Sequence, residues 1–174
     1  VEKGTIYDLD ELENLYNDLN DHLETNINYP GWIKGVYPTR ETALKGIEES
    51  NLFVFRIDNT IAGSIILNHH PEEAYKQVEW GVDAKAENII VIHTLVVHPS
   101  FMNKGIATKL INFATKYSKE QKMKAIRLDV SVNNMAAIKL YEKLGYKYIG
   151  TVDLGLPYAH LKWFKLYEMI LNND

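Results

Sequence analysis

Apolar residues recur at helical spacing in LDELENLYNDLNDHLET, where Leu9, Leu12, Leu15, Tyr16, Leu19 and Leu23 fall on one face. The loop NINYPGWIKGVYP follows, dense in aromatics and turn residues. TRETALKGIEES predicts a second helix with Thr39 as its N-cap. Then the texture changes. NLFVFRI and TIAGSIIL are short β-rich runs on either side of Asp58-Asn59, a hairpin turn. HHPEEAYKQVEWGVDAKAE is polar and irregular, with room for a helical turn or a short strand. NIIVIHTLVV is apolar on both faces, as a central strand would be.

The next segment places Ile106, Leu110, Phe113, Ala114 and Tyr117 on one helical face. AIRLDVSV reads as a strand and NNMAAIKLYEKLG as a helix that Gly145 closes. YKYIGTVDL and LKWFKLYEMIL complete the pattern as two final strands. With a short opening strand the order is βααββ, βαβα, ββ. The middle βαβ requires a parallel pair and the flanking hairpins require antiparallel ones. The expected fold is therefore α/β (α+β), with a mixed, mostly antiparallel sheet flanked by helices.

Composition narrows the options. The chain has 174 residues, 46 % of them hydrophobic, which suits a single domain spanning 1–174. A net charge of −4 argues against a nucleic-acid partner. There is no Cys, which removes disulfides, cysteine-based zinc sites and a cysteinyl nucleophile together. No apolar run reaches the roughly 18–20 residues of a membrane helix, and no signal-peptide pattern opens the sequence. A cytoplasmic protein with no membrane partner and no metal is the expectation.

Candidate chemistry begins at HPSFMNKGIATKL, where the apolar strand meets a helix. Neither G-x-x-x-x-G-K-[ST] nor G-x-G-x-x-G is present. Phosphate binding is nonetheless physically available. Gly105 permits close backbone approach, Ala107 keeps the first turn slim, Lys104 adds charge, and Asn103 to Thr108 would aim successive N–H groups outward. An ordinary strand-to-helix turn fits the same residues.

A second motif changes the balance. Met102-Asn103-Lys104-Gly105-Ile106-Ala107 resembles the acetyl-CoA loop Q/R-x-x-G-x-G/A of the GCN5-related N-acetyltransferase (GNAT) family, save at its first position. One helix and one strand later, Asn134, Ala137, Leu140, Tyr141, Gly145 and Tyr146 resemble that family's N-x-x-A-x-x-L-Y-x-x-x-G-F/Y signature. The resemblance covers roughly Asn51 to Leu171. It implies a GNAT-like acyl-CoA N-acyltransferase fold with a splayed parallel strand pair. It also implies an acceptor-side region over about 1–90 and an acetyl-CoA-binding core over about 89–150.

The implied activity is direct transfer of acetyl from acetyl-CoA to a primary amine of a small molecule or peptide. A catalytically weak CoA-binding regulatory module is the alternative. The resemblance assigns acetyl-CoA to Leu95, Val96 and Val97, to Met102, Asn103, Lys104, Gly105, Ile106, Ala107 and Thr108, and to Asn134, Ala137 and Tyr141. Met102 and Asn103 depart from the usual residues. Backbone carries most of that contact, and Asn tolerates unusual φ.

Tyr141 is the candidate general acid: a neutral phenol can meet a departing thiolate. On spacing alone Tyr141 reads first as a core aromatic and Asn134 as an N-cap, and it is their place in the family motif that reverses this. For the base, Glu79 comes first and His93 second. By strand alternation His93 shares a face with Val91, Leu95 and Val97, which also suits a core histidine. Trp32, Tyr37, Glu79 and Trp80 are the acceptor-side candidates, with Tyr158 and Trp163 behind them, although core packing is the commoner fate of aromatics. The final strands leave an edge that a homodimer could use.

Overall fold

The computed structural model describes Val1 to Asn172. Its strands are β1 (Glu2–Lys3), β2 (Leu52–Ile57), β3 (Thr60–Asn68), β4 (Ile89–Val97), β5 (Ala125–Ser131), β6 (Lys147–Asp153) and β7 (Trp163–Ile170). Its helices are α1 (Leu9–Glu24), α2 (Arg40–Glu48), α3 (Ile106–Glu120) and α4 (Met135–Lys143). The chain order is the one expected. The strands hydrogen-bond in the order β1-β2-β3-β4-β5-β7-β6, and β4 with β5 is the parallel pair in a mostly antiparallel sheet. The polar stretch before β4 forms short 3-10 turns at Glu73–Gln77 and Ala86–Asn88, with no strand between them.

The chain folds as two compact units. The first comprises Val1–Asn28, Trp32–Leu67 and His93–Ala114. Here α1 buries the stripe of Leu9, Leu12, Leu15, Tyr16, Leu19 and Leu23 against Ala43 of α2 and Leu52, Val54, Ile61, Ile66 and Val96 of the strands. Each such leucine contributes about 1.5–3 kcal/mol by leaving water. Thr39 opens α2 as expected, its N–H donating to Thr42 Oγ1 at 3.0 Å while the Thr42 N–H donates to the Thr39 carbonyl at 2.9 Å. Asp58 and Asn59 are both left-handed, φ 49° and 64°, which is the backbone a two-residue hairpin matched to strand twist requires.

The second unit comprises Tyr29–Gly31, Asn68–Ile92 and the chain from Thr115 onward. Its core gathers Ala74, Tyr75, Ile89, Val91, Ala125, Val152 and Leu166. β5 lies between β4 and β7, pairing Ile89↔Ala125 through Ile92↔Leu128 on one side and Ala125↔Ile170 through Ser131↔Phe164 on the other. α4 closes as predicted: Gly145 takes φ 95°, its N–H donates to Glu142 and the Tyr146 N–H donates to Tyr141.

One helix face needs correction. In α3 the fully buried positions are Ile106, Leu110, Ile111, Ala114 and Ser118, with Phe113 and Tyr117 only half-buried. The strict i, i+4 row of 106, 110, 114 and 118 faces inward, so the stripe is rotated toward Ile111 and away from the two aromatics.

Candidate active site

The first unit carries the strand-to-helix junction. β4 ends at Val97, and Pro99 opens a 3-10 turn, Pro99–Phe101, capped by His98. His98 Nδ1 accepts from the Ser100 N–H at 3.0 Å, so Nε2 carries the proton and donates to Asp18 at 2.9 Å. Met102 is extended and its side chain packs against the unit's core, which leaves its backbone as what it can offer a ligand. Asn103 and Gly105 are both left-handed, at φ 61° and 76°.

A Cβ at Gly105 would meet nothing within 4 Å, so glycine answers the backbone angle there and the space above it is open. α3 starts at Ile106, which is anchored in the core, and the Lys109 N–H closes the first turn on the Gly105 carbonyl at 3.1 Å. The N–H groups before it have no acceptor one turn back and carry the positive end of the helix dipole. Lys104 stands exposed beside them, its ammonium 5.4 Å from the Phe101 ring centroid. Asn103, Lys104, Gly105, Ile106, Ala107 and Thr108 thus make an open helix start with a positive bias, the chemistry that anions favour.

Gly63 supports this junction and escaped sequence reasoning. A Cβ there would lie 2.8 Å from the Val96 carbonyl, 3.0 Å from Ile106 and 3.1 Å from Leu110. The signal was a lone glycine inside the apolar run TIAGSIIL.

Within β4, Val96 is buried while Leu95 and Val97 are half-buried. Thr94 has φ 46°, a genuine outlier for a β-branched residue, and its hydroxyl hydrogen-bonds that of Tyr37. Burial nevertheless alternates through this residue: Ile92, Thr94 and Val96 are buried while His93, Leu95 and Val97 are half-buried, as the grouping of His93 with Leu95 and Val97 expects. Tyr37 also meets Trp32 edge-on, centroids 5.6 Å apart at 77°, and its carbonyl accepts from Asn20 Nδ2 at 3.1 Å. Two of the aromatics expected on the acceptor side thus meet one another, and one of them reaches Thr94. Tyr16 lies fully buried below, where burial pushes its phenol up against the opposing effect of the Ser64 hydroxyl.

The second unit carries α4 and the strands around it. Asn134 caps α4, its Oδ1 accepting from the Ala137 N–H at 3.2 Å. Tyr141 is buried, with its ring 5.6 Å from Tyr146 at 62°. Burial above all, then Tyr146 and the charge of Asp129, push its phenol well above the usual tyrosine range. It stays protonated at any working pH, which suits a hydrogen-bond donor to a developing thiolate better than a full proton donor.

Asp129 was not among the expected residues. It sits on β5, half-buried, and accepts from the Tyr75 hydroxyl at 2.7 Å. Burial raises its carboxyl to about 6, the Tyr75 hydroxyl pulls it down, and Glu72 adds to the rise. The signal in sequence was two charges, Arg127 and Asp129, inside the otherwise apolar AIRLDVSV.

Arg127 explains the first of those charges. Its Nε donates to Glu168 at 2.8 Å and its Nη2 to the Val82 carbonyl at 2.7 Å, while the Gly81 N–H donates to Glu168 at 2.8 Å. The Trp80 ring lies over the guanidinium at 4.4 Å, and the Trp80 indole donates to the Tyr75 carbonyl at 2.9 Å. Trp80 is committed to this clamp, and Glu79 beside it is exposed. Tyr158 lies beside His160, and Trp163 is half-exposed on β7 under Lys162. Among the described residues no group of His, Cys, Asp and Glu could hold a metal, and no helix is long and apolar enough to cross a membrane.

A mixed, mostly antiparallel sheet with one parallel pair, and a left-handed turn at the start of the helix that links that pair, define an α/β protein. The Acetyltransferase (GNAT) family profile matches residues 11–146, and the chain belongs to that family. The family uses acetyl-CoA as its acetyl donor. An N-acetyltransferase of Methanocaldococcus jannaschii, itself uncharacterized, is 28 % identical over 137 residues, covering 75 % of this chain and 57 % of that one. The chain spans little more than half the length of the curated relatives it matches. A GNAT-family acetyltransferase structure from Streptococcus agalactiae superposes with a TM-score of 0.80 at 18 % identity, covering 98 % of this chain and 94 % of that one, a likeness of fold. A Bacillus anthracis protein, provisionally named streptothricin acetyltransferase and crystallised with acetyl-CoA, is 25 % identical. Its TM-score is 0.54, over 69 % of this chain and 61 % of that one.

Proposed function

We propose that this protein is an N-acetyltransferase that moves acetyl directly from acetyl-CoA to a primary amine of a small molecule or peptide, working as one catalytic domain. The observation that carries this is the paired left-handed Asn103 and Gly105 at the start of α3, in a chain of the GNAT family. The family's donor has a pyrophosphate, and these residues offer it open space, unpaired N–H groups and a lysine.

When bound, acetyl-CoA supplies an activated acetyl group as a thioester. Asn103 to Thr108 would hold the pyrophosphate, with Met102 contributing through backbone. Leu95, Val96 and Val97 would offer backbone groups to the pantetheine arm, one of which can steady charge developing on the carbonyl oxygen. Asn134 presents the capped start of α4 with Ala137 behind it, and Tyr141 donates a hydrogen bond to the departing sulfur. Trp32, Tyr37, Glu79 and Trp80 are the residues proposed for the acceptor side. No cysteine is available for a covalent acetyl-enzyme, which favours direct transfer.

Calorimetric titration with acetyl-CoA, with CoA and ATP as comparisons, tests the reading, followed by thiol release on a panel of primary amines. Saturable acetyl-CoA binding with turnover on at least one amine supports it. Binding without turnover on any amine points to the regulatory module, and no binding by the folded protein removes both.

A further inference from the structure

Asp129 has the surroundings of a working group rather than of a structural one. A mid-strand carboxylate is ordinarily kept by a cation or by several N–H donors. The nearest candidate cation on its own strand, Arg127, is held by Glu168 and the Val82 carbonyl. The groups that act on Asp129 are Tyr75 and Glu72 from the segment before β4, and Tyr141 from α4 shares its field. None is a cation. Tyr75 occupies Oδ2 alone, and among the described residues no donor reaches Oδ1, while the side chain stays partly accessible. The arrangement leaves one carboxylate oxygen for something from outside.

Resting on the acetyl-transfer reading, we propose that Asp129 is the proton acceptor for the incoming ammonium, held and tuned by Tyr75. One N–H bond of the ammonium breaks with its electron pair left on nitrogen, an O–H bond forms on the Asp129 carboxylate, and the proton then passes to solvent. The neutral amine is the nucleophile that acetyl transfer requires. A carboxyl raised to about 6 is a stronger base than an ordinary aspartate by about two powers of ten, while still ionised at pH 7. The Tyr75 hydroxyl acts in the other direction. Its hydrogen bond favours the ionised form and keeps burial from pushing the group out of the working range. Glu79 is exposed and lacks this desolvation.

Asp129→Asn and Tyr75→Phe test the assignment. Asparagine keeps an acceptor for the Tyr75 hydroxyl, so that variant should fold, and circular dichroism with acetyl-CoA calorimetry checks this. The wild-type kcat/KM for thiol release should rise with pH along a limb centred near 6. Asp129→Asn should lose that limb and fall by about 10²–10⁴-fold, with acetyl-CoA affinity changed by less than about threefold. Tyr75→Phe should move the limb to higher pH. Carbon-13 titration of the aspartate carboxyl groups, assigned by difference from Asp129→Asn, should show the same upward movement without any turnover.

A folded Asp129→Asn that binds acetyl-CoA and keeps its limb, or stays within about fivefold of wild type, would overturn the proposal alone. So would a carboxyl signal that Tyr75→Phe does not move. A wild-type protein that neither binds acetyl-CoA nor releases thiol with a polyamine, an aminoglycoside or a peptide N-terminus would remove the acetyl-transfer reading, and the proposal with it.

Discussion

Asp129→Asn should stabilise the protein at neutral pH while removing its activity. The carboxyl moves from its ordinary 3.8 to about 6 in the folded chain. The native state therefore holds that proton more tightly than the unfolded state does. Below pH 3.8 both states are protonated and the group is neutral to stability. Between 3.8 and about 6 the unfolded chain has released a proton that the native state still holds, so stability falls with pH across that window and levels off once the native state carries its desolvated charge. Each tenfold gain in proton affinity is worth ~1.4 kcal/mol, so a rise from 3.8 to about 6 sets a ceiling near ~3 kcal/mol at pH 8. Partial access of the side chain to solvent screens this, so about 1–2 kcal/mol is the expected gain. Urea unfolding of both proteins at steps from pH 4 to pH 8 measures the difference, in which every other titrating group cancels. The variant should match wild type near pH 4, pull ahead between pH 4 and pH 6 and keep a level margin above that, with a Tm gain at pH 8 of about 2–8 °C. A variant less stable than wild type at pH 8, or a difference independent of pH, would refute the reasoning.

The cradle makes separable predictions at Gly105. Gly105→Ala meets no neighbouring atom and strains only the left-handed backbone, so it should destabilise the fold by about 1–2 kcal/mol, read by urea titration. Gly105→Glu adds a negative charge over the position proposed for the pyrophosphate and should weaken acetyl-CoA binding by more than about tenfold, read by calorimetry. Tyr141→Phe should lower kcat by about 10–100-fold with nearly unchanged acetyl-CoA affinity, because the contact proposed to the leaving sulfur is made by the hydroxyl alone. Arg127→Met leaves Glu168 buried without its partner and frees the Gly81–Val82 segment, and thermal unfolding should show a loss of about 3–5 kcal/mol.

Most of the architecture was legible because it rests on local periodicity. The α1 stripe, the Asp58-Asn59 turn, the Thr39 cap and the Gly145 closure are each specified within a few residues by spacing or by a required φ. The helix between β4 and β5 forces the parallel pair by chain connectivity alone. The inward face of α3 was read two aromatics too wide, since Phe113 and Tyr117 are apolar enough to suggest burial yet stay half-buried.

At the candidate site legibility stopped where chemistry depends on distant partners. The left-handed Asn103 and Gly105 are foreshadowed by residue type, because those two side chains tolerate that backbone. Thr94 is not foreshadowed: nothing about a threonine in IIVIHTLVV announces φ 46°, and its partner Tyr37 lies 57 residues earlier in the chain. Trp80 has the composition of a ligand-facing aromatic, yet the structure places it over Arg127, 47 residues later in the chain.

By itself the sequence determined the order of elements, the parallel strand pair and the position of the left-handed turn before α3, because these follow from side-chain periodicity and backbone preference over short spans. Only the tertiary structure decided which polar residues are desolvated and which are answered. It joined Tyr75 to Asp129 across 54 residues and left one carboxylate oxygen without a donor among the described residues. It also bound Arg127 to Glu168 across 41 residues, so that this cation is not available to neutralise Asp129. Burial and pairing are sums over neighbours that the chain brings together from afar, and a carboxylate's basicity is set by that sum.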